Sequence, residues 1–232
     1  MANKITLSVV MPTLNEERAI ETVIRDIWTY AENYDTEIII VDSSTDQTPR
    51  IAQELGAQVI SKPPAGHGDA LRAGLAAAQH DIIITADCDN TYPMEFIPRL
   101  IELMREGKHD LISCNRLTKS LKAEMPFMNK LANRFFAFLV RLLYGIKVTD
   151  VATGMFCLTK QLNKSIKLEN FVTVPIELII KTNLAGFKHL EIDIPYRTRI
   201  GDVTLQKWRC GKAALLCIFN YRFNFNLDPR KL

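Results

Sequence analysis

Two aspartates, Asp87 and Asp89, stand one residue apart in the stretch IIITADCDNTYP, between Ile82 and Pro93. Carboxylates flanking a single residue can both reach one cation around a tight turn. Their oxygens suit a hard divalent ion, Mg2+ or Mn2+, whose shell is commonly completed by substrate phosphates. Such an ion neutralises the charge of a departing diphosphate. A strand cap followed by a turn explains the same residues without any chemistry, so the pair takes its meaning from its position. Cys88, between them, reads as a small side chain facing the core.

The elements that must position this pair alternate through the first half of the chain. ITLSVVMPT, EIIIVDS, AQVISKP, DIIITADCD and DLISCNR read as strands. Between them, EERAIETVIRDIWTYAEN, TPRIAQELG, GDALRAGLAAAQ and PMEFIPRLIELMREG read as helices. Continuous Ile and Val strands separated by helices predict an α/β fold with a mostly parallel sheet covered on both faces. Ligands of such sheets bind beyond the carboxyl ends of the strands. The polar residues fall at those ends: Pro12, Thr13, Asn15 and Glu16, then Asp42, Ser43 and Ser44, then Asp87 and Asp89, then Asn115 and Arg116. Singly, Asn15 and Ser44 read equally as helix caps and Asp42 as a turn residue. Gathered on one edge, they predict a site.

The totals narrow the class. The chain has 232 residues, 47% hydrophobic and 24% charged, which describes a globular protein. A net charge of +3 does not call for nucleic acid, and no basic-aromatic recognition module appears. Five cysteines with no CxxC pair read as reduced thiols in a cytoplasmic protein. The opening MANKITLSVVMP lacks the pattern of a signal peptide. No stretch of about 18 uncharged apolar residues predicts a membrane span.

The second half is less regular. A basic loop, Leu117–Glu124, carries Lys119 and Lys122. MPFMNKLANRFFAFLVRLLYGIKV follows, placing Lys130, Arg134 and Arg141 on one helical stripe with Asn133 beside it. A core helix with a solvated stripe is the first reading of this pattern; an apolar helix with a narrow basic stripe also suits a membrane surface. TGMFCLTK and HLEIDIPYRTR read as strands, VPIELIIKTNLAG as a helix, and WRCGKAALLCIFNYRFNF as a short amphipathic helix. Trp208 and the Phe-rich tail read as packing residues.

The ordered segments VVMPTLNEE, IIIVDSSTDQT, GHGDALRAGLAAA, ITADCDNTYP and IPYRTRIGDVTL resemble the inverting family 2 glycosyltransferases of GT-A fold. The similarity is greatest to the branch of dolichol-phosphate mannose synthases and polyprenyl-phosphate glycosyltransferases. It implies a Rossmann-like sheet with residues 1–116 as the nucleotide-sugar half and residues 117–232 as a smaller acceptor-side half of the same domain. It implies that Pro12, Asn15, Glu16 and Asp42, with Asp87, Cys88 and Asp89, bind the nucleotide sugar. Asp87 and Asp89 would hold Mg2+ or Mn2+, and Asp89, Arg116 and Arg199 would act in the reaction. Arg116, Arg134, Asp150, Glu177 and Arg199 would face the acceptor, with Gly154 and Gly201 in their matching loops. The implied reaction moves a hexose from a GDP- or UDP-linked donor to a polyprenyl or dolichyl phosphate on the cytoplasmic membrane face.

The sequence departs from the family pattern in places. VDSST offers Asp42 alone where two acids are frequent, His67 stands where lysine is common, Phe156 where arginine is common, and Val203 and Thr204 replace a serine and a lysine. His67, between two glycines, reads as a loop residue. An acceptor phosphate is largely ionised near neutral pH and needs no strong base, which suits four histidines without evident catalytic pairing. A soluble hydroxyl acceptor would instead need an acid beside it, near Asp150 or Glu177. A nicotinamide-type oxidoreductase would need a GxGxxG turn after the first strand, where this chain has MPTLNEE. A nonenzymatic nucleotide-sugar binder is the remaining alternative.

Overall fold

The computed structural model describes residues 4–118, 125–169, 172–201 and 207–223, with backbone alone at 207–209. Lys119, Lys122, Val203, Thr204 and the side chain of Trp208 lie outside these described residues. Seven strands form one sheet: β1 (Thr6–Thr13), β2 (Asp35–Asp42), β3 (Gln58–Ser61), β4 (Ile82–Thr85), β5 (Leu111–Asn115), β6 (Phe156–Thr159) and β7 (His189–Asp193). Their order is β3-β2-β1-β4-β6-β5-β7. β1 pairs in parallel with β2 and with β4, and β5 in parallel with β7. β6 is inserted antiparallel between β4 and β5.

The chain runs from β1 outward through β2 to β3, then returns to the other side of β1 as β4. This reversal opens a crevice at the carboxyl ends of β1 and β4. The register Val10↔Thr85 ends that pairing just before Asp87, while Thr13 lies opposite Asp42. The acid-bearing ends of three strands therefore meet at one place.

Strand alternation divides the core. Leu7, Val9 and Met11 face one layer with α1 (Ile20–Tyr30), α2 (Thr48–Glu54) and α4 (Ile97–Arg105). Val10, Ile39, Val41 and Ile83 face the other, with α3 (His67–Ala77), α5 (Phe127–Tyr144), α7 (Val174–Leu184) and α8 (Lys207–Phe223). A short helix, α6 (Lys160–Ser165), follows β6, and Thr159 caps it by accepting from the Leu162 N–H at 3.1 Å.

Three elements differ from the sequence pattern. The first helix begins at Ile20 rather than near Glu16, because residues 15–17 are pinned to the β2–α2 loop. Asn15 has φ 57°, and the Glu16 N–H donates to Thr48 Oγ1 at 2.9 Å. In α5, Asn133 is buried rather than lying with the basic stripe. α8 is longer than a short surface helix and buries Ala213, Ala214, Cys217 and Ile218. Tyr144 of α5 donates to its Ile218 carbonyl at 2.5 Å.

α3 lies directly on the sheet because Gly74 has no side chain. A Cβ there would stand 2.3 Å from Val10 Cγ1 and 3.1 Å from Val41 Cγ2. Gly74→Ala is expected to lift α3 and to cost about 1–3 kcal/mol. Urea unfolding checks this; an unchanged midpoint would show that α3 has room to spare.

Candidate active site

The loops after β1 and β2 are tied together by polar side chains. Asp42 accepts from Thr13 Oγ1 at 2.7 Å and from Ser44 Oγ at 2.6 Å. The Asn15 N–H donates to Ser44 Oγ at 2.7 Å, and Asn15 Oδ1 accepts from the Thr45 N–H at 2.9 Å. Two clefts open on this edge. One, of about 440 Å3, is lined by Asp42, Ser44, Ser61 and Lys62 among others. The second, of about 410 Å3, includes Asn15, Glu16, Asp46 and Gly201. Pro12 closes β1 opposite Val41.

Deeper in the crevice, carboxylates from β1 and β4 converge. Arg199 donates to Asp89 Oδ2 at 2.6 Å and to Glu16 Oε1 at 2.5 Å. Asp89 Oδ1 accepts from Thr91 through its hydroxyl at 2.5 Å and its N–H at 3.0 Å. Asp87 Oδ1 lies 2.9 Å from His67 Nε2. Gly154 gives Asp87 its room, because a Cβ there would stand 2.9 Å from Asp87 Oδ2. The crowding leaves an electrostatic signature. Burial pushes the Glu16 carboxyl from the usual 4.5 up to about 7, with Asp89 and Asp87 adding to the rise against the pull of Arg199. Burial and the Asp87 charge likewise raise Asp89. Burial also works against the charge on Asp87, but hydrogen bonding to His67 and the His67, Arg116 and Arg199 charges outweigh it and hold Asp87 low. The same pairing raises His67 against the opposing effect of burial.

Behind this crevice lies a second, fully enclosed pair. Arg116 donates to Asp150 through Nε at 2.7 Å and Nη2 at 2.9 Å. It also reaches the Ala152 carbonyl at 2.7 Å and Tyr92 Oη at 3.2 Å. Asn133 of α5 donates to Asp150 Oδ1 at 2.6 Å and accepts from the Val151 N–H at 3.0 Å. Tyr92 in turn accepts from the Gly154 N–H at 2.5 Å, linking this layer to the Asp87 cradle.

The expected site residues thus separate into groups. Asn15, Glu16, Asp42, Asp87, Asp89 and Arg199 come together at the strand ends. Arg116 and Asp150 do not face the cleft as free groups; each is buried in a bidentate pair with the other. Cys88 turns into the core, fully buried. Burial drives its thiol pKa well above the ordinary range, so its side chain offers the cleft nothing. Glu177 is buried elsewhere, accepting from the Glu169 N–H at 2.7 Å and Tyr221 Oη at 2.7 Å, with Lys181 at 2.9 Å. Arg134 is exposed on α5. Sequence reasoning missed His67 as a partner of Asp87. The available signal was its place in the glycine loop, where lysine is common in the family.

Among the described residues, no group of three or more His, Cys, Asp or Glu side chains is arranged to hold a metal. A pair of carboxylates nevertheless fits a hard ion completed by phosphates. Asp89 and Glu16 share one guanidinium, and Asp87 stands beside Asp89 with His67 as its partner. Asp87 and Asp89 are the residues that could hold such an ion.

A mostly parallel sheet with an acidic pair at its reversal point is the architecture of the GT-A fold. Residues 8–166 match the description "Glycosyl transferase family 2", and the chain belongs to that family. It is 38% identical over 207 residues to a dolichyl-phosphate hexose transferase of Haloferax volcanii, covering 89% of this chain and 90% of that one. It is 28% identical over 200 residues to a dolichol-phosphate mannosyltransferase of Pyrococcus furiosus, covering 82% of this chain and 55% of that one. Crystal structures of glucosyl-3-phosphoglycerate synthase from Mycobacterium tuberculosis share the fold. The complex with Mn2+, UDP and glucosyl-3-phosphoglycerate has a TM-score of 0.78 at 24% identity, covering 95% of this chain and 81% of that one. The complex with Mn2+, UDP-glucose and phosphoglyceric acid has a TM-score of 0.76 at 25% identity, covering 94% and 80%.

The Glu16 shift has a measurable consequence. A carboxyl whose pKa rises on folding binds more protons folded than unfolded between its two values, so stability falls as pH climbs through that window. For Glu16 the window runs from 4.5 to about 7; His67, also raised, acts in the same direction. In chelator-treated protein the melting temperature is expected to fall between about pH 5 and pH 8, and Glu16→Gln to reduce that fall by roughly 5 °C. Identical pH profiles for the two proteins would place the Glu16 carboxyl in an unperturbed setting.

Proposed function

We propose that this glycosyltransferase moves a hexose from a nucleotide diphosphate sugar to a polyprenyl or dolichyl phosphate in one inverting displacement. The observation that carries this reading is the meeting of Asp87, Asp89 and Glu16 with Arg199 at the sheet's reversal point, beside the clefts of the β1 and β2 loops. Asp42, Asn15, Pro12 and Glu16 would hold the base and ribose. Asp87 and Asp89 would hold Mg2+ or Mn2+, whose chemistry is Lewis-acid neutralisation of the diphosphate; the mycobacterial structural neighbour is crystallised with Mn2+ and UDP-glucose. Arg199 is the group that responds to the substrates. Its Nε–H is buried without an acceptor, and its Nη1 rests on Asp89, which a bound cation would engage instead. The freed guanidinium would meet phosphate oxygens in bidentate fashion.

Two buried acids bear on the acceptor. A hydroxyl nucleophile needs a base within hydrogen-bond reach. Asp150 is held low against burial by the Arg116 charge and by hydrogen bonds from Arg116 and Asn133, and Glu177 is enclosed with Lys181 and Tyr221. Neither is positioned to take a proton in the crevice. An ionised phosphate needs none, which supports the lipid phosphate suggested by the dolichyl-phosphate relative. Arg116 and Asp150 would then position the acceptor-side loop rather than touch the substrate.

Asp87→Asn and Asp89→Asn are each expected to lower metal-dependent transfer about 100-fold or more, with far-ultraviolet circular dichroism unchanged. Transfer of labelled hexose from GDP- and UDP-sugars to polyprenyl phosphate measures this. Wild-type turnover in both variants would remove the pair from the reaction.

A further inference from the structure

Tyr92 is among the largest side chains enclosed in the fold, with 1% of its surface exposed. The proposed reaction gives it no role. Its ring meets Tyr196 edge-on, with centroids 6.0 Å apart. The Arg116 guanidinium lies 5.9 Å from the Tyr92 ring centroid and 5.3 Å from that of Tyr196. Held between these groups, the ring aims its hydroxyl oxygen at two donors, Arg116 Nη1 at 3.2 Å and the Gly154 N–H at 2.5 Å. The Gly154 carbonyl is held as well, accepting from Thr85 Oγ1 at 2.8 Å. Thr85 ends β4 and Tyr92 stands in the loop after it, so the two clasp both sides of the Gly154 peptide. Asp87 lies between them in sequence and against Gly154 in space: a Cβ there would stand 2.9 Å from Asp87 Oδ2 and 3.0 Å from Oδ1.

We propose that Tyr92 is a positioning residue for Asp87. By seating the Gly154 peptide, its hydroxyl fixes how close the 149–154 loop lies to the Asp87 carboxylate. Gly154 then bounds the carboxylate on one side, and His67, 2.9 Å from Oδ1, bounds it on the other. Phenylalanine at this place would fill the same space and keep the ring contacts. It would leave the Gly154 N–H buried without an acceptor, a state that drives the peptide to move. A peptide that moves toward the cleft pushes on Asp87, and one that moves away frees it to turn. Groups that orient a metal-holding side chain typically change metal affinity by about 10–100-fold when they are lost. The effect on cation binding rests on the proposed cation site at Asp87 and Asp89; the effect on the position of Asp87 does not.

Tyr92→Phe tests this, with Tyr144→Phe as its control, since Tyr144 also gives up a hydroxyl bond, to the Ile218 carbonyl between α5 and α8. Metal-free crystals of Tyr92→Phe are expected to show the Asp87 carboxylate displaced and its contact with His67 lost. Mn2+ titration followed by electron paramagnetic resonance, with UDP or GDP present and nucleotide-only blanks subtracted, should show about tenfold weaker binding. Hexose transfer should need correspondingly more Mn2+, while the rate at saturating Mn2+ stays within about threefold of wild type. Gly154→Ala, which crowds Asp87 with the Tyr92 hydroxyl intact, should also weaken Mn2+ binding. Tyr144→Phe should lower the melting temperature and leave Mn2+ affinity unchanged. Wild-type Mn2+ affinity in Tyr92→Phe, with Asp87 in place, overturns the proposal. So does an equal loss of affinity in Tyr144→Phe, which would trace the effect to general stability. A wild type that binds no Mn2+ would overturn the cation site instead, and the place of Asp87 in the Tyr92→Phe crystals would then decide the role of Tyr92.

Discussion

The Arg199 guanidinium sits between Asp89 and Glu16 and allows three carboxylates to share the rim of one sheet. Two like charges about 4 Å apart repel by about 4 kcal/mol at an effective dielectric near 20. Without a cation, that repulsion would spread the β1 and β4 loops or protonate one of the acids. Burial raises the pKa values of Glu16 and Asp89 first of all, and the neighbouring carboxylates add to the rise against the pull of Arg199. The arginine is brought there by backbone contacts: the Arg197 N–H donates to the Thr91 carbonyl and the Ile200 N–H to the Asp89 carbonyl, both at 3.0 Å. Gly201, at φ 99°, turns the chain where a Cβ would approach Glu16 Oε2 at 3.4 Å. The segment that carries the cation thus runs along the loop that carries the acids.

The Arg116–Asp150 pair has a different role. It is buried, and its hydrogen bonds are satisfied by Asn133, Ala152 and the Arg116 N–H. A buried ion pair is weak evidence for stability, because desolvation offsets its Coulomb energy. Its hydrogen bonds are directional, however, and they connect the end of β5, the 149–154 loop and α5 at one point. Glu191 of β7 reinforces the junction by accepting from the Thr149 and Asp150 N–H groups at 2.8 and 2.9 Å. Gly154 leaves that loop directly against the Asp87 carboxylate, so a shift in the buried pair is transmitted to the cleft.

Much of this was readable in the sequence for a physical reason. Buried parallel strands require unbroken apolar runs, and IIIVD and IIITAD show both the strand and the polar end where it stops. The acidic pair was legible from that placement. The antiparallel β6 was not, because FCLT carries no mark of which strands it will separate. The start of α1 was hidden because the acids before it look helical, whereas Thr48 and Ser44, some thirty residues on, hold that turn open. His67 and Asn133 were misjudged for the same reason: their partners, Asp87 and Asp150, are distant in sequence, and periodicity reports only local neighbours. Arg116 sits at a strand end as expected, but nothing local shows that its side chain turns inward to Asp150.

The charges are divided between the two halves of the chain. Glu16, Asp42, Asp87 and Asp89 come from the first, whereas Arg199 comes from the second. The first half alone does not balance the site: it would gather these carboxylates with His67 as a nearby partner. Balance is reached only once β6 and β5 join the sheet beyond β4 and β7 carries the 197–200 segment back to the β4 loop. The insertion of β6 therefore has a chemical consequence as well as a topological one. It sets the width of the sheet between the acids on β4 and the strand that leads to Arg199, and so determines whether one guanidinium can reach both Asp89 and Glu16. A cleft built this way holds its acids close together only while a cation is present. That makes it receptive to a ligand that carries phosphate and a divalent ion together, because such a ligand can replace Arg199 at the carboxylates and give the arginine an anion in return.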